Sequence, residues 1–240
     1  TNVKPQSIRN VSVEEIRNLL PHIRTIKRID FKGGEPMLAK HHDDFLQWMI
    51  EEGMTDVHLL YTTNGTVQNP RILKLLGQFK NVSLVFSIEG TGTRYSYIRG
   101  GKYDIKQIED NMQKYNELEN VKINFNVTLQ NYNLLNLLDL YKLLHSWQDK
   151  YERVDANNAF TTICNQPDYL SPLNVPDSIR DKALEQLNGI EDFKTLCSSL
   201  AKRKFNEDKW QTFIDFTKDL DLLRGDNVVE HCPELGEFFE

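Results

Sequence analysis

Hydrophobic and polar residues in the first two thirds of the chain alternate between short strand-like runs and longer helix-like segments. The short runs favour β-structure, whereas the longer segments repeat apolar residues every three or four positions, as one face of a helix requires. Predicted strands cover residues 26–31, 57–61, 82–88, 121–129 and 154–163. Predicted helices lie at 43–52, from residue 70, at 105–118 and at 134–147. This alternation predicts an α/β fold in which helices cover a parallel sheet, as an open or closed barrel.

Both ends of the chain depart from this alternation. Ser12 and Glu15 fit a capping box, which predicts a helix from there to about Leu20. Beyond residue 165 strand signals almost vanish, and three helices are predicted at 177–187, 191–203 and 208–223. We therefore expect a β/α core over residues 1–165 and a helical C-terminal extension over residues 166–240.

Composition narrows the class of protein. The 240 residues are 39% hydrophobic, enough for a full core, but no apolar run approaches the roughly 20 residues that span a bilayer. The formal net charge of −6 argues against broad binding to nucleic acid. Cys164, Cys197 and Cys232 are too few and too scattered for a disulfide-rich secreted scaffold. We expect a cytoplasmic protein with neither a membrane nor a nucleic-acid partner.

Polar residues stand where the predicted strands end. The first strand stops at Gly33-Gly34-Glu35-Pro36, the second at Thr62-Thr63-Asn64-Gly65 and the third at Ser87-Ile88-Glu89-Gly90, and the fourth contains Asn126. The carboxyl ends of parallel strands form the ligand sites of such sheets, so these motifs are expected to surround one pocket. Taken singly, each also fits an ordinary turn or a solvated surface position.

The chemistry of these residues suits a nucleoside that carries an amino acid. Glu35 offers an acceptor for a cationic amine, and Thr63, Asn64 and Ser87 offer hydroxyl and amide groups. Arg99, shortly after the third strand, carries a guanidinium that can grip a carboxylate at two points.

In order and spacing, these motifs resemble the S-adenosylmethionine-binding motifs of radical SAM enzymes, especially the branch with SPASM or twitch C-terminal extensions. The resemblance covers about residues 26–163 and implies a partial (β/α)₆ TIM-like barrel. It implies that the segment Gly33-Gly34-Glu35-Pro36 holds the methionine amine, that Ser87 and Arg99 contact the carboxylate or ribose, and that Thr63, Asn64 and Asn126 line the same site. Glu89 stands where the family usually has Asp.

The resemblance also implies an activity. Radical SAM enzymes use a [4Fe-4S] cluster and a reductant such as flavodoxin or ferredoxin to cleave S-adenosylmethionine reductively. The resulting radical abstracts hydrogen from a substrate, here expected to be a peptide or protein. Three cysteines in a Cys-x-x-x-Cys-x-x-Cys loop hold that cluster.

This chain lacks the cysteine loop, because its three cysteines all follow residue 163. The first barrel strand and the loop would then lie upstream of Thr1. We therefore expect an N-terminally truncated radical SAM enzyme, inactive as this polypeptide alone. The alternative is a degenerate binding module that kept the pocket and lost the redox chemistry.

Other candidate residues have simpler explanations. The cysteines fit either an auxiliary cluster or small buried apolar positions, and the second is the expected one. His41 and His42 lack an evident third ligand, so no metal ligand is assigned. Four tyrosines fit either a substrate mouth or aromatic packing, namely Tyr61, Tyr95, Tyr97 and Tyr103.

Overall fold

The computed structural model describes residues 13–18 and 25–239. Its centre is a five-stranded sheet, and a further pair of short strands lies beside it. In chain order the strands are β1 Arg28–Phe31, β2 His58–Thr63, β3 Val82–Ser87, β4 Val121–Asn126, β5 Thr128–Leu129, β6 Val154–Asp155 and β7 Thr162–Ile163. The main sheet has the order β1-β2-β3-β4-β6 and the small one pairs β5 with β7, all in parallel.

Helices connect these strands and continue beyond them. They are α1 Val13–Arg17, α2 His42–Glu51, α3 Pro70–Leu76, α4 Gly92–Arg99, α5 Ile105–Asn116, α6 Leu137–Lys150, α7 Asp177–Leu187, α8 Lys194–Lys202, α9 Glu207–Arg224 and α10 Val228–His231. Within the described ranges, none of them has the length and apolar character that crossing a bilayer requires.

The two faces of the sheet differ in chemistry. Every second residue of β2, β3 and β4 is buried, as the twofold repeat of a strand requires when one face packs against helices. Phe86 contacts Tyr115 of α5, and Phe125 contacts Trp147 of α6, with ring centroids 6.3 and 5.8 Å apart. The alternate residues, among them Ser87, form a more polar and more open face.

The predicted fold class is confirmed. The chain is an α/β protein with a five-stranded parallel sheet and covering helices, consistent with a partial TIM-like barrel. Among the described residues β1 and β6 are not neighbours, so the sheet is open rather than closed. The division of the chain at residue 165 stays a prediction, and one buried apolar cluster, from Met37 to Leu235, has members on both sides of it.

Two predictions of local structure need correction, and one helix was missed. The region 154–163 is two short strands in different sheets rather than one, with Asn158 at a positive φ of 61° between them. The region 121–129 likewise divides between β4 and β5, and helix α4 was not predicted. Of the N-terminal helix, Ser12 and Leu20 lie outside the described residues.

Candidate functional site

The segment after β1 presents an open stretch of backbone. Gly33 and Gly34 have φ values of 87° and 53°, which residues with a Cβ rarely adopt. A Cβ built on either glycine would meet no atom within 4 Å. Pro36 then begins a 3₁₀ turn, Pro36–Leu38, and is buried. The backbone at the two glycines is therefore open to solvent, and its role in ligand binding stays a prediction.

Glu35 joins the ends of the first two strands. Its Oε1 accepts hydrogen bonds from the backbone N–H of Met37 (3.1 Å) and the hydroxyl of Thr63 (2.8 Å), and its Oε2 accepts one from the N–H of Asn64 (2.8 Å). A carboxylate offers about four acceptor positions, so about one is left for a ligand amine. Glu35 therefore holds the ends of β1 and β2 together and also offers an acceptor to a ligand.

Asn64 shapes the next turn. Its side-chain oxygen accepts hydrogen bonds from the backbone N–H and the hydroxyl of Thr66, at 2.9 and 2.7 Å. This is the local side-chain turn that Asn favours. The side-chain oxygen of Asn64, a residue predicted to line the nucleoside, is therefore already bonded within the protein.

Glu89 and Arg99 form a two-point ion pair. The N–O distances are 2.6 Å from Nε to Oε2 and 2.7 Å from Nη2 to Oε1, and Nη2 also donates to the backbone carbonyl of Ser87 at 2.9 Å. Burial raises the pKa of the Glu89 carboxyl, and the charge of Arg99 opposes that rise. The guanidinium of Arg99 was predicted to bind a ligand carboxylate at two points. Its Nε and Nη2 are instead paired within the protein, and Nη1 is the group that remains for a ligand.

Tyr95 connects the hydrogen bonds around Glu35 and Asn64 with the ion pair of Glu89 and Arg99. Its hydroxyl donates to the backbone carbonyl of Asn64 at 3.0 Å, and the guanidinium of Arg99 lies 6.0 Å from its ring centroid. The ring is fully buried, which raises the pKa of its hydroxyl. Glu35, Asn64, Tyr95, Arg99 and Glu89 therefore form one continuous network at the carboxyl ends of β1, β2 and β3.

Ser87 and Asn126 occupy neighbouring positions on the open face of the sheet. They are paired in the register of β3 and β4, and the amide oxygen of Asn126 accepts a hydrogen bond from Thr162 at 3.1 Å. A hollow of about 590 Å³ lies over this face. Its polar lining comes from Lys32, Thr62, Asn124, Asn126, Asp155, Asn157 and Asn158.

The other candidates mainly serve packing. Tyr61 and Tyr97 are buried, and the hydroxyl of Tyr61 bonds to Nε2 of His42 at 3.0 Å. The three cysteines are free thiols, and Cys164 and Cys232 are buried. Nowhere in residues 13–18 and 25–239 do three His, Cys, Asp or Glu side chains gather in a way that could hold a metal ion. The described residues therefore do not fit a [4Fe-4S] cluster, whereas the open glycines and their polar surroundings fit S-adenosylmethionine.

Sequence reasoning missed two asparagines whose hydrogen bonds hold the chain next to this network. Asn133 donates to the backbone carbonyls of Glu89 and Thr128, both at 2.8 Å, and Asn136 bonds to Thr91 through both of its side-chain polar atoms. Both asparagines are buried. The signal available was the run of polar asparagines just after the fourth predicted strand.

Of the comparisons with known proteins, the match to a family model identifies a superfamily. A model of the Radical SAM superfamily matches residues 3–144. No curated protein matches the chain in sequence. Streptococcus suis SuiB bound to precursor peptide SuiA is a structural match, with 14% identity over 95% of this chain and a TM-score of 0.46. TYW1 with a lysine-pyruvate adduct bound matches 54% of this chain with 16% identity and a TM-score of 0.32. The chain spans about 45% of the length of each.

The family model and the site describe the same part of the molecule. The matched region contains all of the residues predicted to bind the nucleotide, from Gly33 to Asn126, and it covers more than half of the 240 residues. The chain therefore belongs to the radical SAM superfamily.

Proposed function

We propose that this chain is the S-adenosylmethionine-binding core of a radical SAM enzyme that acts on a peptide or protein, with a SPASM or twitch type of C-terminal extension. The observation that carries the proposal is the continuous network from Glu35 to Glu89, which lies beside the open backbone of Gly33 and Gly34. We place the protein in the cytoplasm, with a flavodoxin or ferredoxin as its reductant.

The methionine part of the ligand fits the strand ends. The exposed backbone of Gly33 and Gly34 provides polar groups for the amine, and the remaining acceptor position of Glu35 adds a negative charge nearby. Nη1 of Arg99 provides one charge-assisted hydrogen bond to the carboxylate, because Glu89 and Ser87 hold the other edge of the guanidinium.

The nucleoside part fits the open face of the sheet. Ser87 and Asn126 stand side by side there and offer hydroxyl and amide groups to a ribose or a base. The hollow of about 590 Å³ next to them falls within the usual volume of a small-molecule site.

S-adenosylmethionine held by these residues would supply, beside a [4Fe-4S] cluster, the radical chemistry that removes a hydrogen atom from a substrate. The described residues include no ligand set for that cluster. The enzyme therefore requires thiolates from elsewhere in the protein, and we assign the residues named above to binding and orientation alone.

Calorimetric titration of this chain with S-adenosylmethionine tests the binding role. We expect measurable binding, weaker than in a protein that also holds the cluster, because the iron chelate is lacking while the pocket walls are present. A flat titration at ligand concentrations up to the millimolar range would contradict the proposal.

A cluster-less binding module is the second candidate, and the lack of a Cys-x-x-x-Cys-x-x-Cys spacing in the chain favours it. The coding region upstream of Thr1 distinguishes the two. A cysteine loop within the preceding few dozen codons supports the enzyme, as does formation of 5′-deoxyadenosine by the anaerobically reconstituted full-length protein. A start codon at this point supports the module.

A further inference from the structure

Helix α4 carries the network on one side and is held by the C-terminal segments on the other. Tyr95 and Arg99 are four residues apart and so lie on one face, which contacts Asn64 and Glu89. Arg94 and Tyr97, three residues apart, contact residues beyond 220.

Arg94 forms a second two-point ion pair, with Glu234. The N–O distances are 2.5 and 2.8 Å, and the side chains of Arg94 and Glu234 are only 9% and 20% exposed. The same guanidinium donates to the backbone carbonyls of His231 (3.2 Å) and Tyr132 (3.0 Å). This one side chain therefore joins α4 to the loop after β5 and to the end of the chain.

Tyr97 adds a second attachment. Its hydroxyl donates to Oδ1 of Asp221 at 2.7 Å, and its ring stacks on that of His231 with centroids 5.1 Å apart. Its backbone carbonyl accepts from Nη1 of Arg224 at 2.8 Å. Asp221 is itself fixed by the backbone N–H of Val228, at 2.8 Å.

These attachments act together with the hydrogen bonds of Asn136 to Thr91 and of Ser96 to Tyr103 in holding α4. It has only eight residues, its buried members are Arg94, Tyr95 and Tyr97, and the side chain of Thr91 makes no capping hydrogen bond. Short helices in proteins depend on tertiary contacts for their stability, and here those contacts are polar and aromatic rather than aliphatic.

We propose that Glu234 and Asp221 are positioning residues for Arg99, which they orient through α4 toward the carboxylate of the bound ligand. This inference rests on the proposed function, because it requires that Arg99 contacts the methionine carboxylate. The helical extension then contributes to recognition of the methionine carboxylate through α4, without contacting the ligand itself.

Comparing two ligands distinguishes a loss of Arg99 positioning from a general loss of protein stability. Calorimetry on the full chain compares S-adenosylmethionine with its decarboxylated analogue, at a temperature where every variant is folded by circular dichroism. For Glu234→Gln we expect a rise of about tenfold in Kd for S-adenosylmethionine, the scale of one weakened hydrogen bond, and less than about twofold for the analogue. Glu237→Gln is the matched control, since Glu237 is an exposed carboxylate of the same segment.

Tyr97→Phe is a second variant for the case that Glu234→Gln does not fold, because it removes only the hydrogen bond to Asp221, whose carboxylate keeps the backbone N–H of Val228. It should show the same selective loss for S-adenosylmethionine. The inference is overturned if the folded variants bind both ligands like the wild type, or lose both equally. Wild-type protein that binds neither ligand would instead overturn the proposed function, and this inference with it.

Discussion

The guanidinium of Arg99 and the carboxylate of Glu89 face each other through two hydrogen bonds, of 2.6 and 2.7 Å. The Glu89 side chain is 7% exposed, whereas that of Arg99 is 28% exposed. Glu89 therefore acts within the protein and fixes the guanidinium, while Arg99 keeps one edge in contact with solvent. Arg99, which was predicted to bind a ligand through its charge, is thus also part of the internal structure.

Replacing Arg99 tests this internal role. Arg99→Ala should lower the free energy of unfolding by about 3 to 5 kcal/mol, because Glu89 would be left buried without its partner. Urea unfolding measures the loss. The double variant Glu89→Gln with Arg99→Ala carries no buried charge and should be more stable than Arg99→Ala. A double variant that is the less stable of the two would show that the pair is not the cause.

Gly33 offers a matched test of the open backbone. Gly33→Ala should cost about 1 kcal/mol of stability, because a Cβ strains a residue at a φ of +87°. It should also weaken binding of S-adenosylmethionine, since the new methyl group would stand where we place the ligand. Gly189 has the same φ and equally open surroundings but lies between α7 and α8, so Gly189→Ala should show the strain alone. Equal affinities in calorimetry would argue against a site at Gly33.

Glu35 is expected to be sensitive even to an isosteric change. In Glu35→Gln one of the two oxygens becomes an N–H₂ group, which cannot accept the hydrogen bonds from Thr63 or Asn64. The free energy of unfolding should fall by about 1 to 3 kcal/mol. Hydrogen exchange at the amides of Met37 and Asn64 should become faster. Glu119→Gln, at an exposed position, should change neither measurement.

The stability of the protein should depend on pH through His42. Burial lowers the pKa of this imidazole to about 4, whereas the unfolded chain titrates near 6.5. Between these values the unfolded state binds more protons, so stability should fall as the pH drops from 6.5, by up to about 1.4 kcal/mol per pH unit. The stabilising contribution is complete above pH 6.5.

Unfolding curves at pH 7, 6 and 5 check this dependence, and His42→Gln should reduce the slope. The neighbouring His41 is a suitable control because its side chain is 58% exposed. His41→Asn also suits the left-handed backbone at this position, where φ is 64°. An unchanged slope in His42→Gln would assign the pH dependence to other groups.

The sequence predicted most elements whose apolar residues have a clear period. Helix α7 has the predicted bounds, 177–187, and the strands β1 to β4 lie where apolar runs placed them. Helix α4 escaped prediction because its buried side chains are an arginine and two tyrosines, so no aliphatic repeat marks its inner face. The region 154–163 was wrongly predicted as one strand because a polar turn around Asn158 interrupts a stretch of otherwise strand-like residues.

For the site, sequence reasoning identified residues but not their partners. Glu35, Thr63 and Asn64 lie together, as expected from the meeting of parallel strand ends. The pairing of Arg99 with Glu89 had no sequence signal of its own, since an arginine can pair with any nearby carboxylate. Whether these residues bind the nucleotide stays a prediction, which the variants above test.

The ion pair between Arg94 and Glu234 spans 140 positions of the chain. Ribosomes synthesise proteins from the amino terminus, so Arg94 emerges long before the carboxylate that neutralises it. Until Glu234 has left the ribosome, the helix that ends at Arg99 lacks this ion pair. The network around Arg99 consequently reaches its final geometry only after residue 234 has been synthesised.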